Sequence, residues 1–235
     1  MKKIKSLIYI IIVCLSLCSC GQQINNYDGK ELVDKAAKLH TDLESASVFM
    51  TNTKTAEVEQ YIEYRFEGEV MQYMYMGCDE GEGIAYYEYN NGTELNYITL
   101  PEETQWSFIA KGNEGYYNYS KASRHYFADG AQLFNDFEAA VVSSEIIQYT
   151  GTDLKLSYDM DKLAEYGAFE QLGKFSDFSM TFHFNPEGYC TQVVNEYTLS
   201  DGTSYGYKMD IRQRDSAEPV VRTDVERLIE ENRIF

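Results

Sequence analysis

Side chains able to do chemistry are sparse in this chain, and most are badly spaced for it. His40, His125 and His183 are far apart and show none of the spacings that bring imidazoles to one metal ion. They read as ordinary solvated histidines, His40 on a helix and His183 on the polar side of a strand. Asp159-x-Asp161 with Glu170 imitates the ends of a calcium loop. Leu163 and Ala164 stand where such a loop needs a ligand and a glycine, so the match fails. Asp159 and Asp161 are better taken as a strand end and a helix cap. The acidic run Asp79-Glu-Gly-Glu-Gly83 could clamp a cation, but it suits a hairpin tip whose charges discourage edge pairing. There is no Gly-x-Ser-x-Gly elbow, no phosphate-binding glycine loop and no paired-cysteine knuckle. The chain is therefore expected to be non-enzymatic, with no catalytic set, no metal and no cofactor. The cysteines are the exception, because Cys14, Cys18 and Cys20 crowd into seven residues behind a greasy run.

That run has the form of an export signal. Lys2, Lys3 and Lys5 make a basic start, and residues 7–17 are almost wholly apolar. A membrane-spanning helix needs about 20 apolar residues, more than this segment supplies. Its tail, Leu17-Cys18-Ser19-Cys20, resembles the bacterial lipobox: an aliphatic residue, a tolerant position, a small residue, then a thiol. The resemblance implies that the Cys20 sulfur is alkylated with diacylglycerol and that residues 1–19 are removed as a lipoprotein signal peptide. Cys14 and Cys18 then leave with the signal. Two acyl chains, at about 0.8 kcal/mol per buried CH₂, give a stable anchor. The expected address is the extracytoplasmic face of a bacterial cell membrane. Residues 20–28 form the lipidated cysteine and a short tether, and residues 29–235 a single β-rich domain.

Charge narrows the partners. The chain holds 20 Lys+Arg against 38 Asp+Glu; without Lys2, Lys3 and Lys5 the basic count falls to 17 and the net charge to −21. Nucleic acid is excluded as a partner because phosphate binding needs a basic face. An anionic membrane surface would likewise repel the domain. A monomer is expected. Cys78 and Cys190 remain after processing, and they could form a disulfide or stay as two buried thiols.

The spacing of apolar residues supplies the elements. Asp28 with Glu31 has the form of a capping box, and Leu32, Ala36, Leu39 and Leu43 follow at helical spacing, which predicts a helix over 29–44. From Val48 the period becomes two. Leu154, Leu156, Tyr158 and Met160 alternate with polar residues, as do Phe178, Met180, Phe182 and Phe184, then Tyr205, Tyr207, Met209 and Ile211. Asn90-Asn-Gly92, Asn185-Pro-Glu-Gly188 and Ser200-Asp-Gly202 read as hairpin turns. Further helices are expected over 161–172 and from the capping box Thr223-Asp-Val-Glu226 onward, with a short one inside 121–142. The class is α+β, mainly β: a curved antiparallel sheet with an N-terminal helix, internal helices and a short C-terminal helix.

Twelve of the 21 tyrosines lie between Tyr61 and Tyr126, and Val70–Met76 is apolar on both faces. Methionine adapts to irregular apolar partners, and tyrosine joins a greasy body to a polar tip. Such strands suit either a plain core or a concave site for acyl chains. The order of lipobox, tether, helix, Tyr/Met-rich meander, helical interruption and further hairpins resembles the LolA/LolB/LppX-type half-barrel lipoproteins. That resemblance implies a curved sheet around helices with an apolar concave side that binds lipid or acyl chains. It makes Tyr64, Phe66, Met74, Met76 and Tyr87 the candidate ligand-binding residues. The alternative is a cell-envelope interaction or glycan-binding module using surface tyrosines, weakened by the presence of only one tryptophan, Trp106.

Overall fold

The structure is a computed structural model that describes residues 27–67, 70–79, 83–99, 105–110, 113–114, 138–148, 151–165, 175–215 and 223–232. The signal segment and Cys20 lie outside these residues. Eleven strands are described: β1 (Ser45–Asn52), β2 (Val58–Glu67), β3 (Val70–Asp79), β4 (Gly83–Asn90), β5 (Glu94–Thr99), β6 (Gln105–Ala110), β7 (Val141–Gln148), β8 (Thr152–Tyr158), β9 (Phe175–Phe184), β10 (Cys190–Leu199) and β11 (Ser204–Arg212). The described helices are α1 (Lys30–Thr41), α2 (Met160–Ala164) and α3 (Thr223–Asn232), with a 3₁₀ turn at Glu138–Ala140. The fold class is thus as expected, a mainly β, curved antiparallel sheet with short helices. Among the described residues, no helix is long and apolar enough to cross a membrane.

The chain forms two compact units interleaved along the sequence, each described in turn. The first unit takes α1, β7 to β10 and most of β11. Its strands neighbour one another in chain order, and the alternating stretches anticipated there are strands, except that β8 ends at Tyr158 and Met160 opens α2. Leu154 and Leu156 pair across to Phe182 and Met180, and these pair on to Val193 and Asn195, so one face gathers the apolar residues. The opposite face is polar, and there His183 Nδ1 meets Asp153 Oδ1 at 2.8 Å. Both later hairpins form: Asn185 Oδ1 accepts from the backbone N–H of Gly188 and Tyr189, and Asp201 Oδ1 from that of Thr203.

Helix α1 covers the apolar face of this unit, but not as the spacing predicted. Its buried stripe is Val33, Ala36 and His40, while Leu32 and Leu39 flank it half-buried. His40 is therefore a core histidine rather than a solvated one: its Nε2 lies 3.0 Å from the carbonyl oxygen of Cys190. Nor does Asp28 cap the helix. The N-cap is Gly29 at φ 91°, where an added Cβ would lie 2.8 Å from Leu154 Cδ1. Only glycine satisfies both the left-handed backbone and the close approach to the sheet. Lys30 then binds Asp34 and Glu138 at 2.8 and 2.7 Å. Burial works against its charge, yet the two carboxylates win and raise its pKa above the ordinary lysine value.

Asp159, rather than Asp161, is the cap of α2, accepting from the backbone N–H of Asp161 and Lys162. Helix α2 ends at Ala164 with Glu165 as its C-cap, short of the helix expected over 161–172, whose residues 166–172 lie outside the described residues. Most of 121–142 lies outside them too. Cys190 is a buried thiol whose Sγ donates to the Gln192 carbonyl at 3.3 Å. The structure thus has a thiol at Cys190, where the sequence allowed a bridge to Cys78.

The second unit takes β1, β2 to β6, the end of β11 and α3. Its first six strands form an unbroken antiparallel meander with each strand beside the next. The turn at Asn90-Asn-Gly92 is closed by Asn91 Oδ1, which accepts from the backbone N–H of Thr93 and Glu94.

Candidate functional site

Register decides which residues of the Tyr/Met-rich strands share a face, because paired residues in an antiparallel sheet lie on the same side and alternate along each strand. Two cross-strand rows result. One runs Phe49, Tyr61, Met76, Tyr87, Ile98, Trp106. The other runs Ser47, Glu63, Met74, Tyr89, Asn96, Phe108 on the same face. Six strands at ~4.8 Å spacing make each row about 24 Å long. The first row holds only apolar and aromatic residue types, and the second adds polar ones.

This register splits the five residues singled out from the sequence. Met74, Met76 and Tyr87 stand on the two rows, and the positions of Met74 and Met76 rest on register alone. Tyr64 and Phe66 belong to the opposite face, with Ala46 across from Tyr64. There the two rings pack on each other at 5.3 Å, and both are buried. The Tyr64 hydroxyl is held well above the ordinary tyrosine pKa by burial, with Asp215 adding to the shift. Tyr64 and Phe66 thus occupy core positions away from the other three.

The described part of the two rows carries a cover that sequence reasoning did not foresee. Tyr87, Tyr89 and Ile98 form one buried cluster with Val225 and Ile229 of α3, and Tyr61 packs against its margin. Val225 and Ile229 stand one turn apart, so a single stripe of the helix meets the sheet. Glu226 accepts a 2.9 Å hydrogen bond from the Tyr89 hydroxyl. Tyr89 is fully buried, so this bond satisfies a group that would otherwise cost about 1–3 kcal/mol.

Beyond the helix the face is more open. At one end Phe49, Tyr61 and Glu63 are each half-buried; the two rings lie 4.7 Å apart, and the Tyr61 hydroxyl donates to Glu63 Oε2 at 2.7 Å. At the other end Phe108 is 44% exposed. The arrangement can hold an extended apolar chain against rings while tyrosine hydroxyls and carboxylates engage polar groups beside it. No cluster of histidine, cysteine or acidic groups able to hold a metal occurs among the described residues.

No protein-family model and no curated protein matches the sequence. Solved structures do show likeness. LprF from Mycobacterium bovis aligns at a TM-score of 0.46 and 9% identity, covering 83% of this chain and 96% of that one. The Mycobacterium tuberculosis lipoprotein LppX aligns at 0.46 and 11%, covering 81% and 97%. The Pseudomonas aeruginosa MucA/MucB complex aligns at 0.38 and 9%, covering 84% of this chain and 60% of that one. At TM-scores below 0.5 these likenesses assign neither a function nor a residue role.

Proposed function

We propose that this protein is a non-enzymatic, lipid-anchored lipoprotein of the bacterial extracytoplasmic face that binds a hydrophobic ligand along the Phe49–Trp106 row. Cys20 would carry the diacylglyceryl anchor, and the short tether after it would hold the domain near the bilayer. The observation that carries the reading is the continuous row itself. Six residues of apolar or aromatic type stand side by side on one face, and its Phe49–Tyr61 end remains half-open.

The test is native mass spectrometry of residues 21–235, followed by organic extraction. The reading predicts a stoichiometric acyl-bearing ligand that is lost in Tyr61→Asp, a change at a half-buried position that leaves the buried cluster in place. A clean apo mass in the parent protein, with no gain after incubation with lipid vesicles, would favour a cell-envelope recognition module and make the tyrosine strands plain core. Anchoring is tested separately: [³H]palmitate should label the full chain but not Cys20→Ser.

A further inference from the structure

The open end of the row is already occupied by a cation. The Arg212 guanidinium lies over the Phe49 ring, its Cζ 4.9 Å from the centroid. Its Nη2 donates to Asp210 Oδ2 at 3.3 Å, and the side chain stays 60% exposed. The Phe49 ring it covers packs on Tyr61, whose hydroxyl donates to Glu63. Arg65 follows Glu63 on the same face of β2, two positions along. Aromatic faces attract cations through their quadrupole, and a carboxylate beside them strengthens that preference. Farther along the same face lies the apolar strip of Tyr87 and Ile98, with Tyr89 on the adjacent row, occupied by Val225 and Ile229. A guanidinium on the rings and an apolar pair on the strip reproduce, in the chain's own C-terminal segment, the head and tail of one kind of molecule.

We infer that the ligand is an amphiphile with a cationic head, an amine or quaternary ammonium, seated on Phe49, Tyr61 and Glu63 with its tail along the row. Arg212 and α3 are built-in competitors that it displaces. This rests on the hydrophobic-ligand reading above and names its chemical class. Arg212 is largely solvated where it lies, so swinging aside sacrifices little, and the incoming cation takes over its ring contact. The formal charge of −18 draws cations toward the surface and repels anionic amphiphiles of the same tail length.

Calorimetric titration of residues 21–235, which include every described contact, separates the possibilities. The probes are dodecyltrimethylammonium, dodecyl maltoside and dodecyl sulfate, each below its micelle-forming concentration at about 0.15 M salt. The inference predicts one-to-one binding, with the ammonium about tenfold tighter than the maltoside and the sulfate weakest. Glu63→Gln keeps a hydrogen-bond acceptor for Tyr61 yet should weaken the ammonium about fivefold. Arg212→Ala should tighten it about fivefold, whereas Lys155→Ala, the same charge change on an exposed strand position of the other unit, should move it less than about twofold. Equal affinity for ammonium and maltoside, or equal shifts in Arg212→Ala and Lys155→Ala, would overturn the cation subsite and leave the hydrophobic-ligand reading standing. Absence of one-to-one binding by all three probes would overturn both.

Discussion

Each unit of this molecule lays a helix on an apolar sheet face, and the two arrangements differ in kind. Under α1 the face is hydrocarbon: Leu154, Leu156, Met180, Phe182 and Val193 are all buried, and the helix is fixed by a glycine that touches the sheet, a buried histidine and a lysine held by two carboxylates. Under α3 the face is tyrosine-rich, the helix contributes an apolar pair and one carboxylate, and rings at the margin stay half-open. The first design packs hydrocarbon on hydrocarbon and removes water from both partners. The second keeps hydroxyls and carboxylates in reach of whatever lies on the face, so its cover can be exchanged for a ligand that offers similar contacts. One region is closed by hydrocarbon on hydrocarbon, and the other is the region proposed to trade partners.

Truncation in the closed region should give the largest effect. Leu154→Ala leaves a cavity under α1 and should cost about 3 kcal/mol in urea unfolding, with no change in ligand affinity once the fold is restored at low denaturant. Gly29→Ala should cost about 2 kcal/mol, since the new Cβ meets Leu154 at a backbone angle that alanine resists. Losses of this size from Tyr61→Ala at the open margin, but not from these two, would invert the comparison.

Titration probes one buried tyrosine in each unit. Burial pushes the Tyr158 hydroxyl up, with Tyr27 and Glu138 adding to the shift, and burial likewise dominates at Tyr64. A raised phenol pKa means that the folded state holds the proton after the unfolded state has released it. The stabilisation is therefore complete below pH ~10 and is lost as pH rises beyond it, by up to ~1.4 kcal/mol per pH unit for each tyrosine. Tyr158→Phe, which gives up a hydroxyl contact with Met180 Sδ at 3.3 Å, should flatten the alkaline limb of stability against pH by about one tyrosine's share. An unchanged slope would show that the Tyr158 phenol is not held protonated by the fold.

The smallest effect should fall at the exchangeable cover. Tyr89→Phe removes the hydroxyl bond to Glu226 and should cost about 1 kcal/mol, with hydrogen exchange rising in α3 ahead of the rest of the chain. On the proposal that the helix competes with ligand, the same change should strengthen binding; weakened binding would contradict the exchangeable cover.

Much of this was legible in the sequence. Strict alternation over 154–158 and 178–184 named the buried face of the first unit residue by residue, because a half-buried strand leaves no other pattern. The three hairpin turns followed from asparagine, aspartate and glycine chemistry. Helix α1 was placed well but rotated wrongly. A neutral imidazole with a carbonyl partner can sit in a core, so a stripe through Val33, Ala36 and His40 competed successfully with the leucine stripe. The candidate site was harder to read because β3 is apolar on both sides, so alternation is silent there. Turn length held the missing signal. With Glu67 paired to Val70, a two-residue connection sets Tyr64 opposite Tyr73 and assigns Met74 and Met76 to the other face. Counting on from the Asn90–Leu95 pair would have added Tyr89 and Ile98 to Tyr87. The role of α3 could not be found that way, since no periodicity says which face a terminal helix will choose.

The central claim is that ligand enters the tyrosine face and not the hydrocarbon one, and photocrosslinking tests it most directly. A diazirine-bearing alkyl chain, irradiated with the protein and mapped by peptide mass spectrometry, should label β1 and β2 around Phe49 and Tyr61, β4 and β5 around Tyr87 and Ile98, and α3 at Val225 and Ile229. Labels confined to β8, β9 and α1 of the first unit, or no label that excess unlabelled amphiphile removes, would contradict it.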